Sequence, residues 1–94
     1  MVKIVYIYDV PEARQAEYLK ATAEKIKPFW ESHGCQSYSV WQVEESPTTF
    51  IKEMLFKDTT AMQQSVGMEE AKPAKELFYS FATNVSRKIC MPKV

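Results

Sequence analysis

Histidine occurs once in this chain, glycine and cysteine twice each, and neither sign of charge is in excess: twelve Lys plus Arg stand against twelve Asp plus Glu. Each shortage excludes something. Gly34 and Gly67 stand in no phosphate-binding pattern, so a nucleotide loop of the glycine-rich kind is ruled out. Cys35 and Cys90 are too few for a disulfide scaffold and read as buried free thiols, and His33 alone leaves too few ligands for structural zinc. No metal and no cofactor are expected. Zero net charge supplies no field to hold polyanions, which argues against nucleic acid and anionic membrane as partners. No apolar run approaches the roughly 20 residues of a membrane span, and no basic segment with a longer apolar core stands ahead of the first strand pattern, so a cytoplasmic location is expected.

What is present is a foldable chain of 94 residues with 46% apolar and 13% aromatic side chains, enough for one domain over residues 1–94 and too rich for disorder. Val2 to Tyr8 is β-branched and aromatic on both parities, as in a strand covered on both faces. Asp9-Val10-Pro11-Glu12 combines an acidic cap, a first-turn proline and a glutamate three residues on, and so opens a helix. Its expected inward stripe is Ala16, Leu19, Ala23, Ile26 and Trp30, with a kink near Lys27 before Pro28 and an end near His33, ahead of Gly34. Cys35–Val43 and Thr48–Lys57 alternate about the turn Glu44–Pro47 and form a hairpin. Asp58 caps a short helix to about Val66. A second helical run carries Ala74, Leu77, Phe78 and Phe81, and Asn84–Met91 forms a last strand.

The order strand, helix, strand, strand, helix, strand is the ferredoxin-like βαββαβ arrangement of the α+β class, a four-stranded antiparallel sheet with helices on one face. The other face is left bare. Strand three carries Phe50, Met54 and Phe56 on one parity and Ile51 and Leu55 on the other, so a large apolar surface remains whichever face the helices cover. The expectation is a homodimer in which two such sheets pack face to face.

The run Trp41-Gln42-Val43-Glu44-Glu45-Ser46-Pro47-Thr48-Thr49-Phe50-Ile51-Lys52-Glu53, followed by Leu55 and Asp58-Thr59-Thr60-Ala61-Met62, resembles the hairpin and helix entry of the dimeric α+β barrel superfamily. That superfamily includes antibiotic-biosynthesis-type monooxygenases, stress-responsive barrel proteins and haem-degrading enzymes. The resemblance implies one small cavity per subunit between sheet and helices. In the monooxygenase-like members it implies a strand glutamate, matched by Glu53, followed by a tryptophan and a histidine where this chain has Leu55 and Gln64.

Glu53 is the catalytic candidate, because a carboxylate facing an apolar cleft can accept a proton from a phenol or an activated C–H. Its bland alternative is a salt-bridged strand residue. Tyr6, Trp41 and Tyr79 are candidate walls for a flat ligand, each joining a large apolar body to a polar tip, although aromatics of this kind are more often plain core. Asn84 could hydrogen-bond a ligand carbonyl, or simply serve a turn. His33 could shuttle a proton or ligate haem, but a histidine in a last helical turn is favoured there by the helix dipole alone. Two functions follow: binding of a small, aromatic or apolar molecule between sheet and helices, or cofactor-independent monooxygenation of quinol or polyketide-type substrates. The residues at Leu55 and Gln64 favour the first.

Overall fold

Every second residue of the first strand is buried, and this alternation decides which side of the sheet is the inside. In the computed structural model, which describes all 94 residues, β1 (Val2–Asp9) buries Val2, Ile4, Tyr6 and Tyr8. β3 (Thr49–Phe56) pairs with it antiparallel in the register Tyr6↔Lys52 and buries Phe50, Lys52, Met54 and Phe56 on the same side. β2 (Ser37–Gln42) adds Tyr38 opposite Met54, and β4 (Thr83–Cys90) joins the free side of β1 with Arg87 opposite Tyr6. The sheet order β2-β3-β1-β4 is that of the ferredoxin-like α+β fold expected from the sequence.

Three helical segments connect the strands. α1 covers residues 12–31, α2 is Thr59–Gly67, and α3 is Lys72–Phe81, preceded by a 3-10 turn Glu69–Ala71. Asp58 caps α2, its carboxylate accepting the Ala61 N–H at 2.8 Å. Tyr18, Ile26 and Trp30 of α1 and Ala74, Phe78 and Phe81 of α3 close the core against the buried face of the sheet. No helix is long and apolar enough to cross a membrane.

Several local expectations are corrected, among them the burial of Cys90, which is exposed on the uncovered strand β4. The inward stripe of α1 is Tyr18, Thr22, Ile26 and Trp30, while Leu19 is exposed. The reason is a π-helical turn at Thr22–Ile26, whose wider winding keeps residues four apart on one face. The same turn stands where a kink before Pro28 was expected: it accommodates the ring and the missing N–H without breaking the helix, which resumes at Lys27–Glu31. Asp9 does not cap α1; it ends β1, and its carboxylate accepts hydrogen bonds from Thr48 Oγ1, Thr49 Oγ1 and Asn84 Nδ2. Those bonds, the one from Asn84 foremost, hold the Asp9 carboxyl below the usual carboxylate range.

The end of α1 is tied to the edge of the sheet. Glu31 accepts the Tyr38 N–H at 3.1 Å, and Lys27 Nζ donates to the Tyr38 carbonyl at 2.7 Å. These contacts satisfy β2 backbone groups that would otherwise lie open along an edge strand, and they fix the position of Tyr38. Gly34, at φ +106°, makes the turn between helix and strand, and a Cβ there would collide with Ser65 Oγ.

Candidate functional site

Lys52 is the anomaly of the interior. Strand alternation places it between Phe50 and Met54 on the helix side, where it is only 3% exposed. Its ammonium lies 3.4 Å from the ring centre of Phe78 and 3.9 Å from that of Tyr6, with Tyr38 at 5.5 Å. Aromatic faces attract a cation through their quadrupole but accept no ordinary hydrogen bond. No carboxylate acts on it. Burial, reinforced by the nearby Arg87 charge and slightly offset by Cys35, pulls its pKa down to about 7.

Around this amine the sheet builds one cross-strand row, Arg87–Tyr6–Lys52, reading from β4 through β1 to β3. Arg87 Nε donates to the Tyr6 hydroxyl at 3.3 Å, and its guanidinium carbon lies 5.9 Å from the Tyr6 ring centre. Two cations therefore flank one phenol. Burial raises the Tyr6 pKa, and the Arg87 hydrogen bond works against that rise. Tyr38 is raised much further by burial, and its hydroxyl, enclosed by protein, has no hydrogen-bond partner. Deeper still, Tyr8 and Tyr18 share a 2.5 Å hydroxyl–hydroxyl hydrogen bond, so that pair is satisfied internally.

The helices leave β4 largely uncovered. Ile89, opposite Ile4 and so on the helix side, is 47% exposed, and Tyr79 at the outer side of α3 is 51% exposed. Phe78, edge-on to both Tyr6 and Tyr79, forms the back wall. The exposed margin along β4, Tyr79 and Ile89 with the guanidinium of Arg87, is an apolar shelf behind which Tyr6, Phe78 and Lys52 lie buried.

The structure brings together two of the residues singled out from sequence, Tyr6 and Tyr79, and scatters the rest. Glu53 lies on the opposite face of the sheet, half-buried and ion-paired with Lys3 at 3.1 Å, because its parity is the reverse of Lys52. Trp41 shares that outer face on edge strand β2, exposed, with its indole N–H donating to Ser39. Asn84 takes a left-handed conformation (φ 53°) beside the irregularity between Ile7 and Asp9, its amide engaged by Asp9. His33 stacks on Phe29 at the end of α1, and its Nδ1–H donates to the Phe29 carbonyl at 2.7 Å. Lys52 and Arg87 escape the sequence reading. One signal for Lys52 was available: it is the only charged residue on the strand-three parity that carries Phe50, Met54 and Phe56.

The Lys52 assignment predicts a pH effect of definite sign. A lysine whose folded pKa is near 7 binds fewer protons than the unfolded chain, where the side chain titrates near 10.4, so stability rises with pH between those values. Chemical denaturation from pH 6 to 9.5 is expected to show the wild type gaining stability relative to Lys52→Met, which lacks the slope and is the more stable protein at pH 6. Parallel curves for the two proteins would contradict the assignment.

No protein-family model matches the chain, and no curated protein sequence matches it. Solved structures do. SnoaB, a cofactor-independent oxygenase from Streptomyces nogalater, superposes with a TM-score of 0.79 at 12% identity, covering 99% of this chain and 93% of that one. A conserved protein from Methanosarcina mazei Go1 gives 0.81 at 19% identity, covering 98% and 92%. A protein described as an antibiotic biosynthesis monooxygenase gives 0.77 at 15%, covering 100% and 99%. The chain therefore has the α+β fold found in antibiotic-biosynthesis-monooxygenase-type proteins.

Proposed function

We propose that the chain binds a small, flat, predominantly aromatic molecule on the shelf between the sheet and α3. The observation that carries this reading is the uncovered β4 edge, where Tyr79 and Ile89 are about half exposed beside the rings of Tyr6 and Phe78. Apolar area of this kind, backed by ring faces and ending in a few polar groups, suits a ligand that is greasy over most of its surface and polar at one end. Cofactor-independent oxygenation of a quinol or polyketide-type substrate is the second reading, favoured by the likeness in fold to an enzyme described as a cofactor-independent oxygenase.

Both readings are tested with a panel of anthrones and naphthohydroquinones. Fluorescence titration is expected to show saturable binding weakened at least fivefold by Tyr79→Ala, while absence of saturable binding contradicts the shelf. Oxygen uptake with the same panel separates the two readings. Turnover supports oxygenation, and because Glu53 faces away from the shelf, Glu53→Gln is expected to leave any turnover within about twofold of wild type.

The outer face of the sheet supports a homodimer. Val5, Ile51 and Leu55 are half-buried there, Ile7 and Trp41 are exposed, and the Lys3–Glu53 pair lies among them. A groove of about 590 Å³ continues this surface at one end, between Met1, Lys3, Leu55, Cys90, Met91 and Pro92. Leaving side chains of this size in water forgoes about 1.5–3 kcal/mol each. Sedimentation at micromolar concentration is expected to give a particle of twice 10.9 kDa, converted to monomer by Ile51→Lys. A wild-type monomer would overturn the sheet-to-sheet arrangement.

A further inference from the structure

The shelf ends in donors without acceptors. Lys52 offers up to three N–H groups to ring faces only. The Tyr38 hydroxyl, 1% exposed as a residue, is unpartnered in the same interior. Arg87 spends its Nε on Tyr6, and its guanidinium stands at the open edge of the shelf. The groups that face Lys52 are Tyr6 from β1, Tyr38 from β2, Arg87 from β4, Phe78 from α3 and Cys35 from the segment before β2. None is an acid. Buried charge is ordinarily paired, and a site with two cations and no counter-ion is completed by an anion from outside.

Resting on the shelf as the binding surface, we propose that the ligand is an aromatic carboxylate, its ring lying on the exposed Tyr79 and Ile89 and its carboxylate held by Arg87 and, once the rings of Tyr6 and Phe78 that now close over the amine give way, by Lys52. A carboxylate fits better than a phenol for a reason of charge. The amine of Lys52 is an ammonium only near and below neutral pH, where carboxylates are ionised and ordinary phenols are not. The planar guanidinium of Arg87 also matches the two oxygens of a carboxylate. Binding then carries a proton with it: in the empty site above pH 7 much of Lys52 is neutral, and the arriving anion draws a proton from solvent onto Nζ, giving an ammonium–carboxylate pair between the rings. No bond other than that N–H is formed.

Isothermal titration calorimetry at pH 7.5, in two buffers of different ionisation enthalpy, tests this with 2-naphthoate and its neutral isostere 2-naphthamide. The expected result is at least tenfold tighter binding of the naphthoate, with uptake of more than half a proton per ligand. Lys52→Met is expected to lose both the preference and the uptake while still binding the amide. Arg87→Gln, on an exposed strand, is expected to weaken the naphthoate alone and, by removing a charge that holds the Lys52 pKa down, to reduce the uptake without abolishing it. Equal affinity for acid and amide, or uptake that survives in Lys52→Met, overturns the carboxylate assignment and leaves the shelf standing. Failure of both compounds to bind overturns the shelf and the carboxylate with it.

Discussion

Strand register is the constraint on which this structure depends. Because side chains alternate along β3, the pairing Tyr6↔Lys52 sends Phe50, Lys52, Met54 and Phe56 to the helices and Ile51, Glu53 and Leu55 to the opposite face. A slip of one residue would exchange the two sets and put Glu53 under the helices. The register is held by four large residues of β1 buried on the same side and by the clasp at its end, where Asp9 is bound from β3 and β4 together. Lys52 is carried inward by the same alternation that builds the core.

Once inside, Lys52 changes the chemistry of its surroundings. An all-apolar residue at that position would pack with less desolvation, so the amine represents a local loss of stability among otherwise favourable contacts. The rings of Tyr6 and Phe78 reduce that loss without removing it, since a face-on ring supplies electrostatic attraction but no acceptor. Departures from local consistency of this kind concentrate at functional sites. This one lies behind a stretch of the helix-facing surface, along β4, that the helices fail to cover.

The element order was legible because each element carries its own signal: β-branched alternation in β1 and β3, the Asp58 cap of α2, and the apolar residues Ala74, Phe78 and Phe81 of α3. The face of the sheet was not. β1 is apolar on both parities, so only the docking of α1 and α3 decides that Tyr6 rather than Val5 or Ile7 points inward, and Glu53 and Lys52 exchange roles with that decision. Trp41 followed the same uncertainty to the outer face. The stripe of α1 was misplaced because a π turn does not announce itself in a pattern read at 3.6 residues per turn. Asn84 and His33 were drawn into local duties, at a left-handed corner and a helix end, that depend on neighbours remote in sequence or on backbone carbonyls. The setting of Lys52 comes from rings on β1, β2 and α3, and no window of sequence contains all of them.

The central claim is that the Lys52 side chain is buried among ring faces with no counter-ion. Its most direct test is an NMR titration of the lysine Cε and Nζ signals, with Lys52 assigned by its absence from Lys52→Met. The Lys52 signal is expected to titrate near pH 7, with ring-current-shifted methylene resonances. A Lys52 signal that titrates near 10.4 with unshifted resonances would contradict it, and the reading of the site would fall.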